Sequence, residues 1–404
     1  MPGRPLRIFS QTVIYLGFAA TGVGMALPGA VLPALLAHWS LSDRQAGTLF
    51  FLGWLGSSLG ALAVRNSRVR SLAMGAMLAA LGACGMGFSS RWSGFIFMTV
   101  YGVGLGLTMT ATSLLQAGLH AARRGAELNR LNLVWALGAC VCPTLAEHSL
   151  RVASARTIFS LLGLFFALVG LWVFLFEHEP LMAHDPLPGR STQPSVSQRP
   201  VSEGRSNAQW NLALWPASLV AIILLPTGIE SSMGGWIAAY VQRTQHTIAT
   251  TVTAGTCFWA GLMLSRTVAS AILHRHRLER LVLIQSLVTV VGGALLLIAS
   301  QTSLGILPGV FLVGFGLGPV YPLLLAIALQ FSENTAIFFV AGLGSAFFPW
   351  LTGVVSSAAE SLRVGLAVPL AGAILMLLLG VPLAKLATIG KSLGGAAEHE
   401  TIET

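Results

Sequence analysis

Charge is what this chain has least of. Asp, Glu, Lys and Arg together make up 9% of its 404 residues, against about 25% in an ordinary soluble domain, which excludes a water-facing surface over most of the molecule. With 54% hydrophobic residues and a mean hydropathy of +0.77, the chain reads as a polytopic membrane protein. Its net charge of +9 does not point to nucleic acid, because the basic residues fall in short loops between apolar runs and line no hydrophilic face. Cysteine is scarce as well. Cys84, Cys140, Cys142 and Cys257 all lie in apolar runs, Cys140 and Cys142 point to different faces of one helix, and neither a disulfide nor a metal site is expected.

Enzyme signatures are also missing. Gly390-Lys391-Ser392 ends like a phosphate loop, but Lys385 stands where that loop's first glycine belongs. The Gly-x-Gly-x-Gly runs at Gly102 and Gly314 follow no strand, and close helix packing explains them. No enzymatic activity is expected, and no cofactor beyond a coupling ion, H+ or Na+.

What the chain has is length of apolar helix. Runs of about 20 residues cross a hydrocarbon core of about 30 Å. Twelve such runs are expected, at 10–38, 43–64, 71–88, 92–119, 127–146, 157–176, 211–241, 247–273, 281–300, 304–330, 335–357 and 364–386. The first follows Arg4 and Arg7 and mimics a signal peptide, but it is about thirty residues long and leads into many more spans, so it reads as the first membrane helix. With the N-terminus inside, fifteen of the 23 Lys and Arg residues fall in cytoplasmic segments, six in outer loops and two, Arg130 and Arg266, within spans. That asymmetry puts both termini in the cytoplasm. The expected location is the inner (plasma) membrane of the cell.

The long polar stretch 177–209, rich in Pro, Ser, Gln and Arg, separates six spans from six. The expected organisation is an N-terminal six-helix bundle at 1–176, a flexible cytoplasmic linker at 177–209, a C-terminal six-helix bundle at 210–390 and a cytoplasmic tail at 391–404. The halves repeat. Gly102-Val-Gly104-Leu-Gly106 aligns with Gly314-Phe-Gly316-Leu-Gly318, and the run from Leu137 through Gly138 to Pro143 aligns with that from Leu343 through Gly344 to Pro349. A repeat this long implies a duplicated domain, hence an all-α membrane protein of twelve transmembrane helices in two pseudo-symmetric bundles with a cavity between them. Spans three, six and twelve carry almost nothing polar beyond Ser and Thr, and span nine adds only Gln285, as lipid-facing supports should. Polar and aromatic residues gather in the other spans.

Glu230 stands out among them. It lies inside the seventh span, and a carboxylate near the bilayer core costs about 2.5–3.5 kcal/mol even on insertion scales, so it faces a partner or a wet cavity. Pro226, Gly228, Gly234 and Gly235 weaken the helix around it, as in the interrupted spans at which transporters hold substrates. Spans one and four hold no Asp or Glu, which leaves Glu230 as the mid-membrane carboxylate, able to take a proton, join a sodium site or hold a substrate hydroxyl. Asn129 and Asn132 share one face of span five with Trp135, offering amides and a flat indole to a polyhydroxylated solute. Interhelical hydrogen bonding, at about 1 kcal/mol, is the alternative for the Asn pair. Trp54, Trp135, Trp236, Trp259 and Trp350 lie deep in their spans, where an indole N–H wants a partner and a cavity lining would supply one. Arg266 sits closer to the cytoplasm than Glu230 by roughly 10–15 Å of helix, a depth expected to keep the two apart and to leave Arg266 either snorkelling towards the cytoplasm or bracing the inner gate.

These motifs resemble those of the major facilitator superfamily over all twelve spans. The superfamily's loop signature after span two is matched in part by Gly60-Ala-Leu62-Ala63-Val64-Arg65-Asn-Ser-Arg68, with Val64 where the family carries Asp, and the match implies gating roles for Arg65 and Arg68. Gly228-Ile-Glu230, Gly234-Gly235-Trp236 with Tyr240, Phe258-Trp259 with Arg266, Gly318-Pro319-Val-Tyr321-Pro322 and Asn129-Arg-Leu-Asn132 are similar to the fucose–proton symporter family, and closest to its sodium-dependent glucose transporter-like branch. That resemblance, with the local helix disruption at two prolines, brings Tyr321 into the site. It implies a monomeric secondary transporter that moves a small-molecule substrate, a glucose- or fucose-like sugar, across the lipid bilayer without ATP by rocking one bundle against the other. Two rivals stay open. One is efflux of drugs or amphiphiles, for which one acid in an aromatic cavity would also serve; the other is a transport-inactive receptor or scaffold.

Overall fold

The computed structural model describes residues 4–64, 67–119, 124–176, 214–244, 247–275, 278–331 and 336–382, and among them every regular element is helical. The N-terminal half contains α1 (Arg4–Ala30), α2 (Leu32–Trp39), α3 (Asp43–Leu62), α4 (Arg68–Phe88), α5 (Arg91–Leu119), α6 (Arg124–Val152) and α7 (Ala155–Phe176). The C-terminal half contains α8 (Leu214–Arg243), α9 (Ile248–Arg275), α10 (Glu279–Ala299), α11 (Ser303–Phe331), α12 (Ala336–Ala358), the single turn α13 (Leu362–Gly365) and α14 (367–382). The linker 177–209 and the tail 391–404 lie outside the described residues.

Eleven of the described segments are long and apolar enough to cross a membrane, and the twelfth expected span is α3. At 20 residues α3 covers about 30 Å. Its hydropathy is low because Asp43, Arg44 and Gln45 open it and Gly and Ser recur along it. A helix packed between α5 and α12 has little lipid to face.

The first expected span, 10–38, is two helices. Pro28 lies inside α1, Pro33 opens α2, and Val31 turns the chain between them. Ser40, left-handed at φ 48°, closes α2 by donating its backbone N–H to Leu36, and a capping box between Ser42 and Gln45 starts α3 at once. The last span is likewise broken into α13 and α14 ahead of Pro369, which cannot donate to the Gly365 carbonyl.

The duplication holds at the level of contacts. In one half α1 packs on α6, α3 on α5, and α4 on α5; in the other α8 packs on α12, α9 on α11, and α10 on α11. The aligned glycines make the same approaches. A methyl on Gly102 would stand 2.0 Å from the Gly53 carbonyl oxygen of α3, and one on Gly314 would stand 2.0 Å from the Phe258 carbonyl oxygen of α9. The halves meet along α3 with α12, α6 with α9, and α1 with α8. Large exposed apolar side chains are densest on α7 and recur on α4, α10 and α14, the set expected from composition, but α5 and α6 carry at least as many as α4.

Candidate functional site

Glu230 sits in the middle of α8, which runs unbroken from Leu214 to Arg243 with Pro226 inside it. The expected interruption is absent because the residues that would weaken the helix are used as contact surfaces. Gly228 faces Phe348 of α12, Gly234 faces Trp259 of α9, and Thr227 donates to the Ala341 carbonyl of α12 at 2.6 Å. Ser231 returns its hydroxyl to the Thr227 carbonyl at 2.8 Å.

Arg266 meets Glu230, contrary to the depth argument. One guanidinium nitrogen lies 3.3 Å from the Glu230 carboxylate, and Nε donates to the Gly318 carbonyl at 3.1 Å. The offset in backbone depth, about 10 Å, is bridged by the length of the arginine stem, which carries its charge well away from its own Cα. Gly318 is the right acceptor for a physical reason. In a helix its carbonyl would bond to the N–H of residue 322, which is Pro322 and has none, so α11 leaves one acceptor free for Arg266. Tyr321, on the same helix, is close enough for its phenol to feel both charges. Glu230 and Arg266 keep side-chain exposures of 19% and 25%, so neither is fully enclosed by the protein. The expectation that the two residues stay apart is thus corrected: Arg266 is the ion-pair partner of Glu230.

Where the halves meet lies a small cavity of about 30 Å³, room for water, and neither Glu230 nor Arg266 lines it. Trp54, Trp259, Tyr101, Ser231 and Met25 contribute to its walls. Tyr101 is 1% exposed and its hydroxyl has no hydrogen-bond partner, while a methyl on Gly24 would stand 2.6 Å from it. Sequence reasoning missed Tyr101; the available signal was that it is one of only four tyrosines and stands directly before the Gly102 repeat.

The remaining predicted site residues divide. Trp135 and Trp259 meet edge to face at 5.7 Å across the seam between halves, and the Trp135 indole N–H is buried without an acceptor. Trp236 is fully buried, donates to the Pro349 carbonyl at 3.0 Å and packs edge-on against Phe50, so in this state it offers no face to a solute. Trp350 lies on the other seam, against Phe51 and Phe347. Asn132 is exposed on α6 and lines neither the central cavity nor the larger cleft described below; the Asn129 side chain and Arg65 fall outside the described residues. Arg68 donates to the Leu114 carbonyl at 2.8 Å and ties α4 to α5 within one half. Among the described residues no group of three or more His, Cys, Asp or Glu could hold a metal ion.

Two further features flank the site. At the face opposite the one where α1 begins, here the far face, Asp43 of α3 accepts both guanidinium nitrogens of Arg243 on α8, at 2.5 and 2.7 Å, and the Ser356 hydroxyl of α12 at 2.5 Å. The two halves are latched together there. Between α2, α6, α8 and α9 a cleft of about 370 Å³ runs from the far face toward Trp259, lined by apolar residues and carrying Glu147, Arg151 and Gln242.

Residues 14–349 match the Major Facilitator Superfamily. Over 379 residues the chain is 22% identical to Bypass of stop codon protein 6 of Saccharomyces cerevisiae (strain ATCC 204508 / S288c), covering 84% of this chain and 75% of the yeast protein. Among solved structures it is similar to a bacterial homolog to the human lysosomal transporter Spinster, inward-facing and unoccupied, with a TM-score of 0.66 at 14% identity over 95% of this chain and 98% of the other. It is also similar to a D-xylose–proton symporter, with a TM-score of 0.67 at 13% identity over 94% of this chain and 97% of the other.

Proposed function

From the premise that this chain belongs to the major facilitator superfamily, we propose that it is a secondary active transporter that carries a monosaccharide through the centre of the fold by alternating access, coupled to a proton through Glu230. The observation that carries the reading is the Glu230–Arg266 ion pair inside the membrane-spanning bundle. The two touch through a single guanidinium nitrogen at 3.3 Å, with Arg266 divided between the carboxylate and the Gly318 carbonyl, a contact that a proton on Glu230 would weaken. Protonation would release Arg266 and change the charge that the site presents to its solute. Trp54 and Trp259 offer ring faces to the C–H surfaces of a sugar, and Tyr101 and Ser231 offer hydroxyls to its edges. The present cavity is too small for a hexose, so the solute enters only after the halves part. In this reading the termini are cytoplasmic, the membrane is the inner (plasma) membrane, and the far face is the outside, closed in this structure.

A second reading, efflux of an amphiphile, is favoured by the apolar character of the 370 Å³ cleft and by Asn132 lying away from it. Uptake of labelled hexoses into proteoliposomes under a proton gradient, a sodium gradient or neither tests both. Saturable hexose uptake driven by the proton gradient supports the first reading. Sodium-driven uptake would replace the ion, and extrusion of an amphiphilic dye without hexose uptake would replace the solute.

A further inference from the structure

The cleft at the α6–α9 seam plays no part in the sugar-transport cycle proposed above, and its walls are graded. Its deep end is closed by the buried Ala26, Phe258 and Trp259, and its sides are Gly, Ala, Pro, Leu, Ile and Val with the single hydroxyl of Thr251. Polar groups stand at its mouth: Glu147 and Arg151, paired with each other on one turn of α6, and the exposed amide of Gln242. From Ala37 at the mouth to Ala26 the depth is about 16 Å. At about 370 Å³ it lies within the range of small-molecule sites, roughly 300–1,000 Å³. Water is a poor occupant, since a buried water needs two to four polar partners and the lining side chains inside the mouth offer only the Thr251 hydroxyl, which already donates to the Thr247 carbonyl, and the Trp259 indole. An alkyl chain suits it. The mouth presents an acid and a base with no net charge, which complements a headgroup that also carries both signs.

We propose that this cleft binds a single-chain amphiphile with a zwitterionic headgroup, its tail in the shaft and its headgroup at Glu147, Arg151 and Gln242, and that occupancy holds the far face closed. The second part follows from where the walls come from. α1, α2 and α6 belong to one half, α8 and α9 to the other, so the cleft exists only while the far-face ends of the halves stay together. A ligand that binds one of two states shifts the population toward it. Trp259 and Gly234 line both the cleft and the central cavity, so an occupant also buttresses the indole that walls the site. The proposal does not depend on which solute the centre carries.

The test uses the full chain in lipid nanodiscs and a diazirine-bearing dodecylphosphocholine. Photolabelling should saturate and map to the cleft-lining segments of α2, α6 and α9. Ala34→Trp, which fills the shaft, should lower that labelling about ten-fold, with Val252→Phe as a second filling variant where the first fails to fold. Spin labels at Ser90 and Gln301, exposed near the far face on opposite halves, should shift toward the short closed distance when dodecylphosphocholine is added, and should not shift in the filled variant. Labelling spread over the lipid-facing α7 and α10 and indifferent to Ala34→Trp would overturn the site. Stronger competition by dodecyl sulfate or dodecyltrimethylammonium than by dodecylphosphocholine would overturn the headgroup assignment, and saturable labelling with no distance shift would overturn the closing effect.

Discussion

Two ion pairs differ in a way that assigns them different work. Asp43 and Arg243 are bonded through both oxygens at 2.5 and 2.7 Å, whereas Glu230 and Arg266 touch once at 3.3 Å, with the arginine divided between the carboxylate and a carbonyl. The loose pair is the one that can exchange partners during a cycle. Glu230→Gln should abolish gradient-driven accumulation in proteoliposomes while leaving solute exchange within about three-fold of wild type, because the amide keeps the shape and loses the titration. Loss of both would make Glu230 a solute ligand, and unchanged accumulation would remove it from coupling. Stability gives an independent reading of the same pair. Removing one partner strands the other charge and costs about 1–3 kcal/mol here, discounted from the fully buried value of about 3–5 because neither side chain is fully enclosed by the protein. Thermal unfolding in detergent should therefore place Arg266→Gln below the Glu230→Gln/Arg266→Gln double variant, and equal loss in both would show that the two residues are not energetically coupled. Glu230 was legible in the sequence, because a lone acid in an apolar run is conspicuous. Its partner was not, since backbone depth ignores how far an arginine stem reaches, and Tyr101 was hidden because a tyrosine among aromatic spans reads as packing.

At the scale of the helices, the repeat was the clearest signal, because a glycine at a helix crossing cannot be replaced without pushing two backbones apart. The aligned Gly102 and Gly314 each meet a carbonyl of an equivalent neighbour, as the alignment required. Two element-level expectations failed. α8 is continuous where Pro and Gly suggested a break, since tertiary contacts on α9 and α12 hold it, and one apolar run became α1 and α2, since Pro28 and Pro33 flank a turn that hydropathy cannot register. α11 does use its proline locally. Pro322 leaves the Gly318 carbonyl for Arg266, so Pro322→Ala should restore the helical hydrogen bond and take that acceptor away. Proline in a helix interior costs about 3 kcal/mol relative to alanine, which predicts a higher unfolding midpoint for this variant. The same change should reduce coupled uptake, because Arg266 loses the contact that aims it at Glu230. A variant both more stable and fully active would show that the freed carbonyl does not position Arg266.

For the whole molecule the decisive question is what holds the far face shut. Asp43 joins α3 of one half to α8 and α12 of the other through Arg243 and Ser356, and the Arg44 backbone N–H donates to Ser357 at 2.8 Å beside it. The arginine side chain is 42% exposed and the aspartate 10%, so solvent screens the pair and its contribution falls between a surface bridge and a buried one, on the order of 1–2 kcal/mol. Each 1.4 kcal/mol is a factor of ten in a two-state ratio. Asp43→Asn should therefore raise the far-face-open population about ten-fold without disturbing either bundle, since α3 keeps its Ser42–Gln45 cap. Distances between spin labels at Ser90 and Gln301, in a background with the four native cysteines replaced, would show this as growth of a longer component. The exchanged pair Asp43→Arg/Arg243→Asp should recover part of the closed population, and only part, because Ser356 is placed to donate to a carboxylate at position 43. An unchanged distance distribution in Asp43→Asn would mean that backbone packing, Gly47 against Trp350 and Gly29 against Gly234, keeps the face closed unaided, and that the ion pair records the closed state without holding it.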